Sequence, residues 1–397
     1  MRICILCTSY PRSKNDHWVP FMHSWAKELA KTEDVTVVTS GDATTKPYEV
    51  RDKVRIYRFN YFFPKKLQKL TYTGGMRESF GHGLFPKIQA PFFMLAFFIK
   101  AFSIARKSDV INAHWTLSGL AALPLKYIYK KPVVLTEHGG SIRGIPSWLN
   151  RFVFRRMDAI TSAHYDLIEG IRKIGARKVV AIRNFLDEEK FLKKHNAKQI
   201  KKELNIKEKY VVTFIGRFED MKDPLTFVES MSYALKKTKS VKFIMVGDGH
   251  LKKDVENEMK KLGLRDNLLL PGPTSKVNKY LAISDIFVAC SKIENCFSTT
   301  ILEAMLSKVP CIMTKAGDTE RYFAHNKYAY LVEKQNPKEL GETIAYLLKN
   351  TSLRKRLSSN GIEFLEKYGF RKNVIRKKIM NVFNEVLRAL GNFVFFP

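Results

Sequence analysis

Phe287-Val-Ala-Cys-Ser-Lys-Ile-Glu-Asn-Cys-Phe-Ser-Thr-Thr-Ile-Leu-Glu-Ala-Met305 reads as a short apolar strand, a polar turn and the opening of a helix. Backbone amides near Ser298, Thr299 and Thr300 are expected to aim N–H groups and the positive end of the helix dipole at whatever lies above them, with Glu303 one turn further along. A phosphate together with a sugar hydroxyl fits such a junction.

A second half of the same chemistry stands upstream in Val211-Val-Thr-Phe-Ile-Gly-Arg-Phe-Glu-Asp-Met-Lys222. The β-rich run ends at Gly216, and the turn that follows carries Arg217 and Lys222, two cations able to converge on one diphosphate. Alone, two charges after a strand are ordinary solvated residues. Their place beside Gly216 and upstream of the 287–305 segment favours diphosphate binding. The chain has no Asp-x-Asp element to hold a divalent metal. Arg217, Lys222 and the helix amides are therefore expected to stabilise a departing diphosphate themselves, with no metal and no cofactor.

Working outward, short β-rich runs alternate with longer helical stretches along the whole chain. Strands are predicted at 3–6, 35–39, 54–59, 109–113, 133–136, 159–161 and 179–182, then at 211–215, 242–246, 268–270, 286–289, 311–313 and 329–331. Such alternation predicts an α/β fold with parallel sheets whose ligands sit at the carboxyl ends of the strands. A charged, helix-prone stretch, 188–209, separates the halves. Two Rossmann-like domains are expected, 1–187 and 188–370. In the final helix Ile375, Ile379, Val382, Phe383 and Val386 form an apolar stripe that must be buried.

Composition bounds the partners. With 397 residues and 45% hydrophobic content the chain can bury more than one core. The 69 Lys and Arg against 38 Asp and Glu give a net charge of +31, which calls for an anionic partner. No nucleic-acid-binding signature accompanies the charge, so no nucleic acid is expected. An anionic bilayer or a lipid phosphate explains it better. The five cysteines imply no disulfide framework, and Cys4 and Cys7 fall on opposite faces of one strand. The chain opens on a strand-like run rather than a secretory signal, which favours the cytoplasm, peripheral at the inner face of the membrane.

The strand-Gly216-Arg217 turn with Lys222, the Val246-Gly-Asp-Gly249 turn and the segment ending Leu302-Glu-Ala-Met305 resemble glycosyltransferase family 4, of the GT-B fold. The resemblance implies two domains facing a central cleft, with helix 371–397 crossing back onto the first. It also implies transfer of a sugar from a nucleoside-diphosphate sugar, UDP or GDP, with retention at the anomeric carbon. The acceptor hydroxyl would attack from the leaving-group face, and the departing phosphate would take its proton. Glu303 corresponds to the family's second glutamate, which receives the donor ribose. The first glutamate usually precedes it with seven residues between them, which is the position of Asn295, with Glu294 one step beyond; either a one-residue bulge brings in Glu294 or Asn295 takes its place. His138, in Leu135-Thr-Glu-His-Gly-Gly140, resembles the His-Gly turn that faces the transferred sugar. Arg143 and His114 are candidates for the acceptor. So is Tyr10, in the Thr8-Ser-Tyr-Pro-Arg12 turn that resembles the first acceptor loop without its paired glycines; Gly74-Gly75 offers a second mobile loop.

Two segments bear on a membrane: the aromatic run Tyr57 to Phe63 followed by Lys65, Lys66 and Lys69, and the apolar segment 88–99 closed by Lys100, Arg106 and Lys107. Twelve residues are too few to span a bilayer. An in-plane amphipathic element and a core helix under a basic surface both satisfy the pattern. The acceptor expected is lipid-linked or a glycolipid, for surface polysaccharide or glycan synthesis. A nucleotide-sugar epimerase on the same architecture and a non-enzymatic polyanion-binding protein are the competing readings.

Overall fold

The computed structural model describes residues 1–394 apart from 15, 17, 69, 73–78, 81–82, 139–144, 164, 194, 294–297 and 318, and apart from the side chains of 165–166 and 391–394. The chain forms two compact units, Met1–Phe185 with Phe370–Pro397, and Leu186–Gly369.

In the first unit eight strands make one sheet: β1 (Arg2–Cys7), β2 (Asp34–Ser40), β3 (Tyr48–Arg51), β4 (Val54–Phe59), β5 (Val110–His114), β6 (Val133–Glu137), β7 (Ala159–Ser162) and β8 (Val179–Ala181), in the order β3-β4-β2-β1-β5-β6-β7-β8. Every pairing is parallel except β3 with β4. The central strands are buried on both faces because helices cover both. Cys4 lies in the cluster with Phe93 and Phe97, and Cys7 in the other with Trp25 and Ile379.

The sequence reading has no strand at 48–51. Tyr48–Arg51 alternates exposed and half-buried positions, so it carries no apolar run. It is held by a two-residue turn in which Asp52 and Lys53 both take positive φ (48° and 66°), the geometry that matches the twist of a tight hairpin.

The second unit has six parallel strands: β9 (Tyr210–Ile215), β10 (Val241–Val246), β11 (Leu268–Leu269), β12 (Ile286–Ala289), β13 (Cys311–Thr314) and β14 (Tyr330–Val332), ordered β11-β10-β9-β12-β13-β14. Numbering these one to six in chain order gives 3-2-1-4-5-6, the doubly wound order, whose switch point lies between β9 and β12. Leaving out β3, the first unit repeats it as 3-2-1-4-5-6-7, with its switch point between β1 and β5. In each unit the chain leaves those two neighbouring strands in opposite directions, the place where open α/β sheets take their ligands, beyond the carboxyl ends of the strands.

The segment read as twelve apolar residues is part of a longer helix, Leu84–Ala105. Pro86 lies in the first turn, where its missing N–H costs nothing, and Gln89 turns inward to donate to the Leu67 carbonyl at 2.7 Å. Phe93, Phe97, Ala101 and Ala105 are buried against the first sheet. By length and composition it is the one helix among the described residues long and apolar enough to cross a membrane. The terminal helix, Lys372–Val394, buries Ile375, Ile379, Val382, Phe383 and Val386 with Ile3 and Ile5 of β1.

Candidate active site

In the second unit the turn after β9 rests on the turn after β10. The Gly216 amide donates to the Val246 carbonyl at 3.0 Å, Phe218 to Asp248 at 2.8 Å and Leu251 to Phe218 at 3.0 Å. A Cβ on Gly247 would sit 1.9 Å from the Gly216 carbonyl oxygen, and one on Gly249 would sit 2.4 Å from that of Phe218. Only glycine permits this backbone-on-backbone contact. Phe218 is buried beneath the turn, so its neighbour Arg217 points outward with 59% of its side chain exposed, paired with Glu219 at 2.8 Å. Lys222, half-buried, closes the 3-10 turn Asp220–Lys222.

Sequence spacing missed the residue that ties the two halves together. Lys292, just past β12, donates its amide to the Met221 carbonyl at 3.0 Å and holds its ammonium 3.7 Å from Asp223. The loop after β12 is thereby fastened to the loop after β9, on adjacent strands. Beyond it, helix Thr299–Leu306 buries Ile301, Leu302, Ala304, Met305 and Leu306. Ser298 does not cap its first turn; its hydroxyl pairs with that of Thr300 at 3.1 Å. The first-turn amides of Thr299 and Thr300 carry the dipole's positive end.

Glu303 lies half-buried on this helix. Burial raises its carboxyl to about 7; the Lys190 ammonium opposes the rise and Asp187 adds to it. Lys190, on helix Glu188–Leu192, is anchored by a 2.6 Å bond to the Ser275 carbonyl. No local pattern marks Lys190, which meets Glu303 through tertiary packing. Glu294 and Asn295 lie outside the described residues, as do Arg143 and Gly74-Gly75. A cavity of about 610 Å³ lined by Lys315, Glu320, Phe323, His325 and Tyr330 lies at the β13–β14 edge and shares no residue with this constellation.

In the first unit His114 ends β5 and His138 follows β6, beside the switch point. Their rings approach edge to edge, Nδ1 of His114 to Nε2 of His138 at 2.8 Å, with planes 15° apart. Phe21, Trp25 and Trp115 surround His138 at centroid distances of 4.9, 6.2 and 5.3 Å. Trp115 holds φ at 67°, a strained conformation for a bulky residue, at the mouth of helix Thr116–Tyr129.

Two acceptor candidates are corrected by burial. Tyr10 is fully enclosed, its hydroxyl 2.7 Å from His23 Nδ1, whose other nitrogen meets Asp52 at 2.8 Å. Arg58 lies over its ring and the Tyr72 hydroxyl donates to its carbonyl. It supports the loop and has no surface for an acceptor. His114 is likewise fully buried, and burial, with His138 beside it, lowers its basicity well below that of a free histidine. It reaches outward only through His138.

A separate surface of this unit is apolar. Phe85, Ile88, Phe92, Leu95, Ile99 and Phe102 recur at alternating spacings of three and four along the outer face of helix Leu84–Ala105 and are exposed. Phe62 packs on Phe85 and Phe92, while Phe63, 89% exposed, and the exposed Lys65 and Lys66 stand in the same loop.

Residues 196–364 match the family described as glycosyl transferases group 1, and residues 19–184 match the glycosyl transferase 4-like domain. The chain is 26% identical over 313 residues to N-acetyl-alpha-D-glucosaminyl L-malate synthase of Bacillus anthracis, covering 76% of this chain and 81% of that protein. It is 28% identical over 245 residues to the UDP-Gal:alpha-D-GlcNAc-diphosphoundecaprenol alpha-1,3-galactosyltransferase of Escherichia coli, covering 57% and 63%. Among solved structures, Anabaena HepE in complex with UDP superposes with a TM-score of 0.72 at 17% identity, covering 97% and 100%. Sucrose-phosphate synthase from Thermosynechococcus elongatus gives 0.76 at 16%, covering 98% and 100%. With both halves matched in order and each built on a doubly wound sheet, this chain belongs to the family 4-like glycosyltransferases of the GT-B fold.

Proposed function

We propose that this glycosyltransferase is a retaining, metal-independent enzyme. It moves a sugar from a UDP- or GDP-sugar to a lipid-linked or glycolipid acceptor at an anionic membrane surface, on the cytoplasmic side. The observation that carries the donor assignment is the fastening of the β9 loop to the β12 loop by Lys292. This fastening holds the β9 loop, with Gly216, Arg217 and Lys222, to the start of the β12 loop, which leads toward a helix whose first turn at Ser298 to Thr300 has no side-chain cap, and both loops follow the two strands at the switch point of one sheet. As the glycosidic bond to phosphate breaks, Arg217, Lys222 and the amides of Thr299 and Thr300 stabilise the growing negative charge on the diphosphate. Glu303 accepts the ribose hydroxyls, with Glu294 or Asn295 on the sugar. His138 faces the transferred sugar, and Arg143 the acceptor. The acceptor hydroxyl attacks from the side of the departing diphosphate, which takes its proton.

The relatives differ in acceptor: one is named for L-malate and another for a diphosphoundecaprenol-linked sugar. The exposed apolar face of helix Leu84–Ala105, with Lys65 and Lys66 beside it, favours the lipid-linked class for this chain. The test is transfer of labelled sugar from UDP- and GDP-sugars into the lipid fraction of a membrane extract, with and without EDTA, and with the product's anomeric configuration determined. An α-linked lipid product from an α-donor, insensitive to EDTA, is expected. Inverted product, dependence on a divalent cation, or label recovered only as an epimerised nucleotide sugar contradicts the proposal.

A further inference from the structure

Helices Leu84–Ala105, Thr116–Tyr129 and Ser147–Phe154 follow β4, β5 and β6 and lie on one face of the first sheet, with Phe97, Ala122 and Val153 in one core. The apolar outer face of the first helix continues across the other two. The Phe102 and Tyr129 rings meet at 4.8 Å between centroids, and the Tyr129 hydroxyl donates to the Phe102 carbonyl at 3.1 Å. Tyr127 and Ile128 beside it are exposed. Lys126 donates to the Arg156 carbonyl at 2.7 Å, and the Arg156 guanidinium lies 4.0 Å over the Phe152 ring. Trp148, one turn before Phe152, is 68% exposed. The opposite face of the same sheet is ordinary: among the described residues, helix Pro20–Leu29 exposes no large apolar side chain and Lys372–Val394 only Val374.

Charge selects what covers this face. None of the three helices contains Asp or Glu, whereas Lys87, Lys100, Lys126 and Arg151 stand in them and the exposed Arg155 and Arg156 follow directly. A two-fold contact with a second copy would set these cations against their own copies. Nor can Leu84–Ala105 span a bilayer from this position, because Phe93, Phe97, Ala101 and Ala105 hold it to the sheet. Apolar and aromatic side chains rimmed by cations suit the interface of an anionic bilayer, where Trp and Tyr sit at headgroup level.

We propose that the whole three-helix face docks on an anionic bilayer, with Tyr127, Ile128, Trp148 and Phe152 forming a second anchor beside Leu84–Ala105. The choice of a bilayer over an acidic protein rests on the lipid-linked acceptor reading; the docking face itself does not. Crossover helices run alongside their strands, so docking lays the first sheet flat on the membrane. It holds the carboxyl ends of β1 and β5 within one helix diameter, about 10 Å, of the headgroups. A sugar carried on a lipid is then reached without leaving the headgroup layer.

The test is tryptophan fluorescence and co-sedimentation of the full-length protein with phosphatidylcholine vesicles, with and without phosphatidylglycerol, made with and without bromine on the acyl chains. Trp148→Phe separates the Trp148 signal from those of Trp18, Trp25 and Trp115. Brominated phosphatidylglycerol vesicles are expected to quench the wild type and not Trp148→Phe, although both bind. Trp148→Ser with Ile128→Ser should lower partitioning about tenfold with melting unchanged, and vesicles lacking phosphatidylglycerol should bind the wild type at least about tenfold more weakly. Unquenched Trp148 in vesicle-bound protein, undiminished partitioning of the double variant, or equal affinity for neutral vesicles overturns the proposal. So does a dimer that these substitutions dissociate, which would give the face to a second copy. Quenching decides even where the double variant does not fold. Quenched Trp148 without sugar transfer to lipid would keep the docking face and remove the lipid-linked acceptor, and transfer to lipid with Trp148 unquenched would do the reverse.

Discussion

Arg217 projects from a turn whose next residue, Phe218, is buried, and it is mostly solvent-exposed and ion-paired with Glu219. Such a surface pair adds little to stability. Arg217→Ala is therefore expected to leave the melting temperature nearly unchanged while slowing transfer by about ten- to a hundredfold, the scale of one or two charge-assisted hydrogen bonds. Steady-state kinetics and thermal unfolding on the same preparation check the split. Glu303 behaves in the opposite way. Its folded value of about 7 stands above the 4.5 of an ordinary glutamate. The neutral form thus favours folding; that contribution is complete below about pH 4.5 and lost as pH rises through about 7. Ribose hydroxyls donating to the carboxylate favour the ionised form, so nucleotide affinity should fall as pH drops below 7, and binding near pH 6.5 should release a proton. Calorimetry in buffers of different ionisation enthalpy reads this release, and Glu303→Gln should abolish it. Arg217 and Glu303 are legible in the sequence because each sits beside a turn or a helix start with its own pattern. Lys190 and Lys292 are not, since their partners are reached only once the strands are side by side.

At the level of elements, the turns after β9 and β10 depend on the absence of a side chain at Gly247. Gly247→Ala places a methyl 1.9 Å from the Gly216 carbonyl oxygen, forcing the two turns apart. A stability loss of about 1–3 kcal/mol is expected, together with loss of nucleotide binding. Denaturant unfolding and a nucleotide titration measure both. The helix Leu84–Ala105 shows where periodicity falls short: apolar residues all round it gave no preferred face, and only packing separates Phe93 and Phe97 inside from Phe92, Leu95 and Ile99 outside. Phe92→Ser with Ile99→Ser should weaken binding to phosphatidylglycerol-containing vesicles about tenfold or more. Melting should shift little, because neither side chain is in the core. Vesicle co-sedimentation at two salt concentrations tests it. Undiminished binding by the double variant would assign the attachment elsewhere. The hairpin strand Tyr48–Arg51 was invisible for the converse reason: an edge strand set by turn geometry needs no apolar run.

Across the whole molecule, the alternation of strands and helices was enough to anticipate two parallel α/β sheets. Burial of both faces writes itself into the sequence as near-continuous apolar runs such as Val211–Ile215, broken only by Thr213, and Ile286–Ala289. Strand order was not written there, yet it brings the β9 and β12 loops together. The net charge of +31 acts over the same scale. It attracts any anion, so a specific donor site must show itself as a preference that charge alone does not supply. The most direct measurement is calorimetric titration of UDP, GDP, ADP and a short single-stranded DNA into the wild type, Arg217→Ala and Glu303→Gln at moderate salt. UDP or GDP is expected to bind the wild type selectively, and each substitution to weaken that binding at least about tenfold. Equal binding of every anion, or nucleotide binding unaffected by Arg217→Ala, would contradict the donor assignment.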